Sequence, residues 1–325
     1  MPTLTVFTPT YNRAYTLHLC YESLCRQTCK DFCWLVIDDG STDNTRELVE
    51  GWKKESKIPI TYFYQENQGM HGAHNAAYRL IDTELNTCID SDDYMPDDAV
   101  EKIVDFWNGK VNENGNGNVN ENVNVNGNGN VNENVNVNGN VNGNKVAGII
   151  ALDVDFNGQL IGTKFPDDLK HTTLGGFYNH GGRGDKKLIY RTEVIKSYPE
   201  YPLFKGEKYV SLAYKYELID QDYELLTMNE PVCCVNYQPD GSTMNMFRQY
   251  IRNPQGFAFI RKQSMMLAPT AKRRFIEAVH YVSSSIMLRN RRFIQESPRP
   301  WLVISAIPLG ILWYAYIRWK TRKIH

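Results

Sequence analysis

Apolar side chains in the first part of the chain fall into short unbroken runs that take turns with longer, helically spaced stretches. Residues 4–8 (LTVFT), 33–38 (CWLVID), 60–64 (ITYFY) and 86–90 (NTCID) are runs of strand length, rich in β-branched and aromatic side chains. Between the first two, residues 14–27 place Leu17, Tyr21, Leu24 and Cys25 on one helical face. DGSTDNTRELVEGWKK predicts a second helix, with Ser41 or Asp43 as its cap and Glu47 in its first turn. GMHGAHNAAYRLID predicts a third, and PDDAVEKIVDFW a fourth with Pro96 near its start. Strand and helix alternating in this way predict an α/β fold, a Rossmann-like and mostly parallel sheet flanked by helices. Ligands of such sheets bind beyond the carboxyl ends of the strands. That is where TPTYNR (8–13), DDGSTD (38–43) and DSDD (90–93) fall.

The alternation stops at residue 111. Through residue 144 every even-numbered position is Asn and the odd ones are Val, Gly or Glu up to Gly143. Nothing there can fill a core, so 111–144 is expected to be a disordered low-complexity insertion. Residues 146–156 resume the sheet, and Asn157-Gly158 predicts a hairpin turn. GGFYNHGGRGDKK reads as a glycine-rich loop, and GEKYVSLAYKYELID as a helix. YELLTM and VCCVNY read as two strands, and YQPDGST (237–243) as a loop able to close over a ligand. Residues 246–288 read as mostly helical. The expected organisation is therefore 1–110 as one half of a domain and 145–245 as its second half, with a helical region over 246–325.

Composition narrows the function. A net charge of −1 gives no reason to expect a nucleic-acid partner. The seven cysteines include no C-x-x-C pair, which argues for reduced thiols rather than a zinc site. MPTLTVFTPTYNR lacks a basic region followed by a long apolar run, so no secretory leader and a cytoplasmic location are expected.

The candidate chemistry lies in CIDSDDYMPDD (88–98), where five carboxylates crowd together. In an extended stretch Asp90 and Asp92 project to one side. Paired oxygen donors at a strand end suit a hard cation whose shell is completed by water and phosphate. An EF-hand is excluded, because Met95 stands where that loop needs glycine and Tyr94 and Pro96 occupy two other loop positions. Asp97 and Asp98 fit the first turn of a helix, where carboxylates complement the dipole.

TPTYNR, VIDDGSTDNT (36–45), ENQGMHGAHNAA (66–77) and IDSDD (89–93), in this order, resemble the family 2 glycosyltransferases with their GT-A fold. The likeness covers roughly residues 3–108 and continues more loosely through 146–245. It implies a UDP-sugar donor. Pro9 and Tyr11 would line the uracil pocket, Asp39 would accept a hydrogen bond from the base, and Asp38 would contact the donor or orient its loop. Asn75 would lie near the diphosphate or ribose, with His74 in place of the family's arginine. Asp90 would meet the ribose or metal shell, and Asp92 would bind Mn2+ or Mg2+. Glu207, expected near a helix N-terminus, would be the base of an inverting reaction, with Lys208 where a second acid is usual. Asp153, Asp155, Asp185 and Asp222 are rivals for that role. Arg183 in GGRGDK would face the acceptor or donor sugar.

Residues 301–317 are a run of 17 without a charge, flanked by arginines and lysines and rich in Trp and Tyr. That pattern predicts a segment associated peripherally or monotopically with the inner face of the cell membrane. The reading is a metal-dependent glycosyltransferase acting on a glycan or lipid-linked acceptor in surface polysaccharide synthesis. A non-catalytic nucleotide-sugar-binding module and a nucleotidyltransferase are the alternatives.

Overall fold

A computed structural model describes residues 2–112, 140–141, 144–236 and 245–322. The insertion expected over 111–144 and the loop expected over 237–243 lie almost wholly outside the described residues. The first four strands are β1 (Leu4–Thr10), β2 (Phe32–Asp38), β3 (Ile60–Tyr64) and β4 (Leu85–Cys88). They pair in parallel in the order β3-β2-β1-β4. The helices α1 (Ala14–Arg26), α2 (Thr45–Glu55), α3 (Met70–Leu80) and α4 (Ala99–Asn112) connect or follow them. Both faces of this half-sheet are covered, which is why its strands read as unbroken apolar runs. Val6 and Val36 pack on one side with Leu17, Leu24, Trp34 and Ile103. Their neighbours Phe7 and Ile37 point the other way, onto Ala73 and Ala77 of α3.

The second half contains β5 (Asn140–Val141), β6 (Asn144–Val154), β7 (His171–Thr172), β8 (Lys186–Arg191) and β9 (Glu224–Cys234), with α5 (Leu174–Asn179), α6 (Thr192–Ser197) and α7 (Ala213–Ile219). The sheet runs β3-β2-β1-β4-β8-β6-β9-β7, with β5 on β6. It is a mixed sheet: β3, β2, β1 and β4 run parallel, as do β6 and β9, while β8, β5 and β7 pair antiparallel. β8 enters between β4 and β6 antiparallel to both, which carries its first residues to the carboxyl ends of its neighbours. The two strands expected from YELLTM and VCCVNY form one, β9, whose register against β6 shifts before Pro231. Asn229 at that irregularity exchanges hydrogen bonds with the backbone of Phe165. The glycine-rich loop contains a helix, α5, capped by Thr173. The helix expected from residue 206 begins only at Ala213. The turn at Asn157-Gly158 forms as expected: Asp155 accepts from the N–H groups of Asn157 and Gln159.

Beyond the sheet stand α8 (Met246–Arg252), α9 (Pro254–Leu267), α10 (Ala271–Met287) and α11 (Pro300–Arg322). α11 includes the predicted apolar segment and is the one described helix long and apolar enough to cross a membrane. It lies against α10 through Val303 and Ala306. A Cβ on Gly310 would come within 2.4 Å of Val282, so only glycine allows the approach. The other side of α11 is apolar and open, with Trp301 84% and Leu312 64% exposed.

Candidate active site

The first two strand-end loops are tied together by Asn12. Its left-handed backbone (φ 52°) turns its amide oxygen toward the N–H of Thr42, at 2.7 Å. Its own N–H donates to Ser41 Oγ at 2.9 Å. Pro9 is buried at the end of β1, and Tyr11 stands half exposed just beyond it. Asp38 is buried, with Oδ1 accepting from Ser41 N–H at 2.8 Å and Oδ2 from Tyr62 Oη at 2.6 Å. It therefore orients the loop rather than presenting a free carboxylate. Asp39 accepts from Gln65 Nε2, Gln68 N–H and Gly69 N–H at 2.7–2.8 Å. A carboxylate has about four lone-pair positions, so one remains for a ligand. Burial raises the Asp39 pKa, against the pull of those three donors. Gly69, at φ +84°, lets this loop pass under the carbonyl of Lys208, which a Cβ would meet at 2.1 Å.

Asp90 and Asp92 are half-buried just past β4, and Asp93 is buried behind them. Asp93 accepts from Asn236 N–H at 2.9 Å. Burial, reinforced by Asp90, pushes its pKa up to about 8. The positive charge of Lys187 stands among these acids. Its Nζ donates to the Cys88 carbonyl at 3.2 Å, and although burial pulls its pKa down, Cys233, Asp153, Asp93 and Asp90 together raise it well above the usual value. Lys187 arrives on the antiparallel strand β8, and nothing in its sequence neighbourhood marked it for the site. Asp153, at the end of β6, is 2% exposed, and its Oδ1 has no hydrogen-bond partner. Burial pushes its pKa up to about 6, with Lys187 opposing and Asp185 adding to the shift. Asp185 is exposed at the start of β8, and Arg183 is exposed two residues earlier.

Two expectations, for His74 and Asn75, are corrected, and a third residue, Glu207, has a different local setting from the expected one. His74 is 1% exposed, enclosed by Phe7, Tyr78 and Tyr201, with Nδ1 against Tyr78 Oη at 3.1 Å. Burial lowers its pKa to about 3, so it is a neutral core imidazole and not a phosphate contact. Asn75 spends its amide on the backbone of Tyr201, at 2.8 and 2.9 Å, and joins α3 to the second half of the chain. Glu207 lies in a loop six residues ahead of α7. Its two oxygens accept from the N–H groups of Gln255 and Gly256, each at 2.8 Å, and so cap α9. Each oxygen accepts one bond, so by the same lone-pair count the carboxylate keeps acceptor capacity.

For a divalent ion, the donor set is Asp90 and Asp92, with the Lys187 charge close by. No group of three or more His, Cys, Asp or Glu able to hold a metal is found among the described residues. Two carboxylates fit Mg2+ or Mn2+ where substrate phosphate and water supply the rest of the shell, and not a closed all-protein cage. Residues 5–121 match the family described as Glycosyl transferase family 2. The chain carries a family 2 glycosyltransferase domain. This domain is 36% identical over 107 residues to glycosyltransferase GlyA of Streptococcus pneumoniae, covering 32% of the chain and 15% of that protein. Chondroitin synthase of Escherichia coli is 35% identical over 106 residues, again 32% of the chain and 15% of that protein. An uncharacterized glycosyltransferase of Nostoc sp. is 31% identical over 104 residues, 32% of each. The chain thus spans a third or less of these relatives. In fold, the glycosyltransferase domain and the helices after it match S. aureus TarS 1–349 in complex with UDP-GlcNAc. The TM-score is 0.55 at 16% identity, over 96% of this chain and 81% of that one. The Pyrobaculum calidifontis mannosyltransferase PcManGT, in complex with GDP-Man and Mn2+, gives a TM-score of 0.51 at 17% identity, over 98% and 83%.

Proposed function

We propose that the protein transfers a sugar from a UDP-sugar to a glycan or lipid-linked acceptor, with inversion, in the assembly of a surface polysaccharide. One observation carries the reading: Tyr11, Asp39, Asp90 and Asp92 stand together beyond the carboxyl ends of the neighbouring parallel strands β1, β2 and β4. An exposed ring and a buried carboxylate with one free lone pair suit a nucleobase. Asp90 and Asp92 would hold Mn2+ or Mg2+ against the diphosphate. When bound, the cation stabilises charge on the departing nucleoside diphosphate. Lys187 keeps the acids close without mutual repulsion driving them apart.

The acceptor hydroxyl must lose a proton as the bond forms. Glu207, Asp185 and Asp153 are the carboxylates to compare for this role. Arg183 would lie beside the sugar. α11 is about 35 Å long at 1.5 Å per residue, but one face is already docked on α10. Its open apolar face and its terminal Arg318, Lys320 and Arg322 suit a helix lying in an anionic membrane surface, on the side that carries lipid-linked acceptors.

A panel of UDP- and GDP-sugars, with Mn2+ and then with chelator, tests the reading through nucleotide release. Release from a UDP-sugar that stops in chelator is expected. Binding without release would favour the non-catalytic module. Pyrophosphate release from a nucleoside triphosphate would favour the nucleotidyltransferase.

A further inference from the structure

A groove of about 860 Å³ lies between α5, α7 and the turn from α9 into α10. That is the size of a ligand site rather than a packing defect. One end is formed by Tyr178, whose hydroxyl donates to the carbonyl of Gly184, the neighbour of Asp185. Tyr178 of α5 lies under the influence of Asp185 and Asp153. Tyr216 of α7 lies under that of Cys88, Asp90 and Lys187. Tyr178 is 41% exposed, its hydroxyl anchored to the Gly184 carbonyl at 3.0 Å, so its ring is fixed and open.

The rest of the lining mixes apolar side chains such as Leu174, Leu267 and Ile276 with two acids and two bases. Asp220 accepts from Leu174 and Gly175 N–H groups at 3.1 and 2.7 Å. Glu217 accepts from Ser264 Oγ at 3.0 Å and Gln263 Nε2 at 3.2 Å. Each carboxylate keeps acceptor capacity beyond these bonds. Exposed Asn179 and Gln221 add amides. The basic residues are confined to α10, where Arg273 Nε is already paired with Glu277 at 2.9 Å.

We infer that this groove binds the acceptor as an oligosaccharide, with one sugar ring stacked on Tyr178 and its reacting hydroxyl toward Asp185 and Asp153. Carboxylates and amides read sugar hydroxyls, and a fixed aromatic face takes the apolar face of a pyranose. The inference rests on the transferase reading for its role, but the binding can be measured separately.

Saturation-transfer NMR of the full chain with di- and trisaccharides of glucose, galactose and N-acetylglucosamine is the direct test, run beside UDP calorimetry. At least one oligosaccharide is expected to bind. Tyr178→Ala and Gln221→Ala should each weaken it by about five- to tenfold, the worth of one stacking or polar contact. UDP affinity and melting temperature report whether either variant has disturbed the fold. If no oligosaccharide contacts the wild type, or if both variants bind it unchanged, the groove is not the acceptor site. Failure to bind UDP would instead count against the transferase reading and leave the oligosaccharide result to decide the groove alone.

Discussion

The two halves of the sheet place their chemistry by different means. In the first half every candidate group follows a parallel strand, so loop after loop reaches the same edge. Asn12 then ties the first loop to the second. In the second half the groups come from opposite directions: Asp153 leaves the end of β6, while Asp185 stands just before antiparallel β8 and Lys187 near its start. Parallel order makes a site legible as a succession of motifs. Antiparallel insertion brings together residues that no motif joins. The proposed donor site belongs to the first kind, and the proposed acceptor groove with Asp153 and Asp185 to the second.

The sharpest break in this comparison is at Asp92. Asp92→Ala should reduce sugar transfer by at least about 10²- to 10³-fold, the effect of losing a group that stabilises developing charge. Metal-dependent UDP binding should go with it, while circular dichroism stays unchanged. Full activity in chelator would remove the metal from the mechanism. Next come the acids of the second half. Among Asp185→Asn, Asp153→Asn and Glu207→Gln, one should lose about 10²- to 10⁴-fold in turnover with UDP binding kept. Glu207→Gln should also lose stability, about 1–3 kcal/mol by thermal melting, because an amide N–H would face a backbone N–H at the start of α9. A fully stable but inactive Glu207→Gln would place the base at that residue.

A smaller effect concerns the layer that joins the halves. Burial lowers the His71 pKa to about 4 and that of His74 to about 3. The unfolded chain therefore takes up protons first as pH falls. Their contribution is fully present above about pH 6.5 and is lost toward pH 4 and 3, at about 1.4 kcal/mol per histidine per pH unit. Urea melts across that range should show stability falling on the acid side, and less so in His74→Phe, which removes the proton site. The mildest test lies outside the sheet. Leu312→Glu on the open face of α11 should reduce co-sedimentation with anionic vesicles while leaving donor hydrolysis in solution unchanged. Equal sedimentation would mean that this face does not meet lipid.

The sequence by itself determined the parallel half, since alternating apolar runs and helical periods admit few folds and place TPTYNR, DDGSTD and DSDD at strand ends. It also singled out Tyr11, Asp39, Asp90 and Asp92 as the candidates proposed for the donor, and determined the apolar character of the C-terminal helix. It misjudged side chains whose role depends on a distant partner. His74 and Asn75 sit in a motif, but Tyr78, Tyr201 and the backbone around them close over both. Glu207 has the composition of a base, and α9, some fifty residues later in the chain, arrives with two N–H groups that its carboxylate accepts. Only the tertiary structure decided these, because a polar side chain pairs with whatever donor folding brings to it. It likewise decided the place of Lys187. A lysine in KKLIYR carries no mark of its neighbours, and the antiparallel register of β8 sets its charge among Asp90, Asp93 and Asp153.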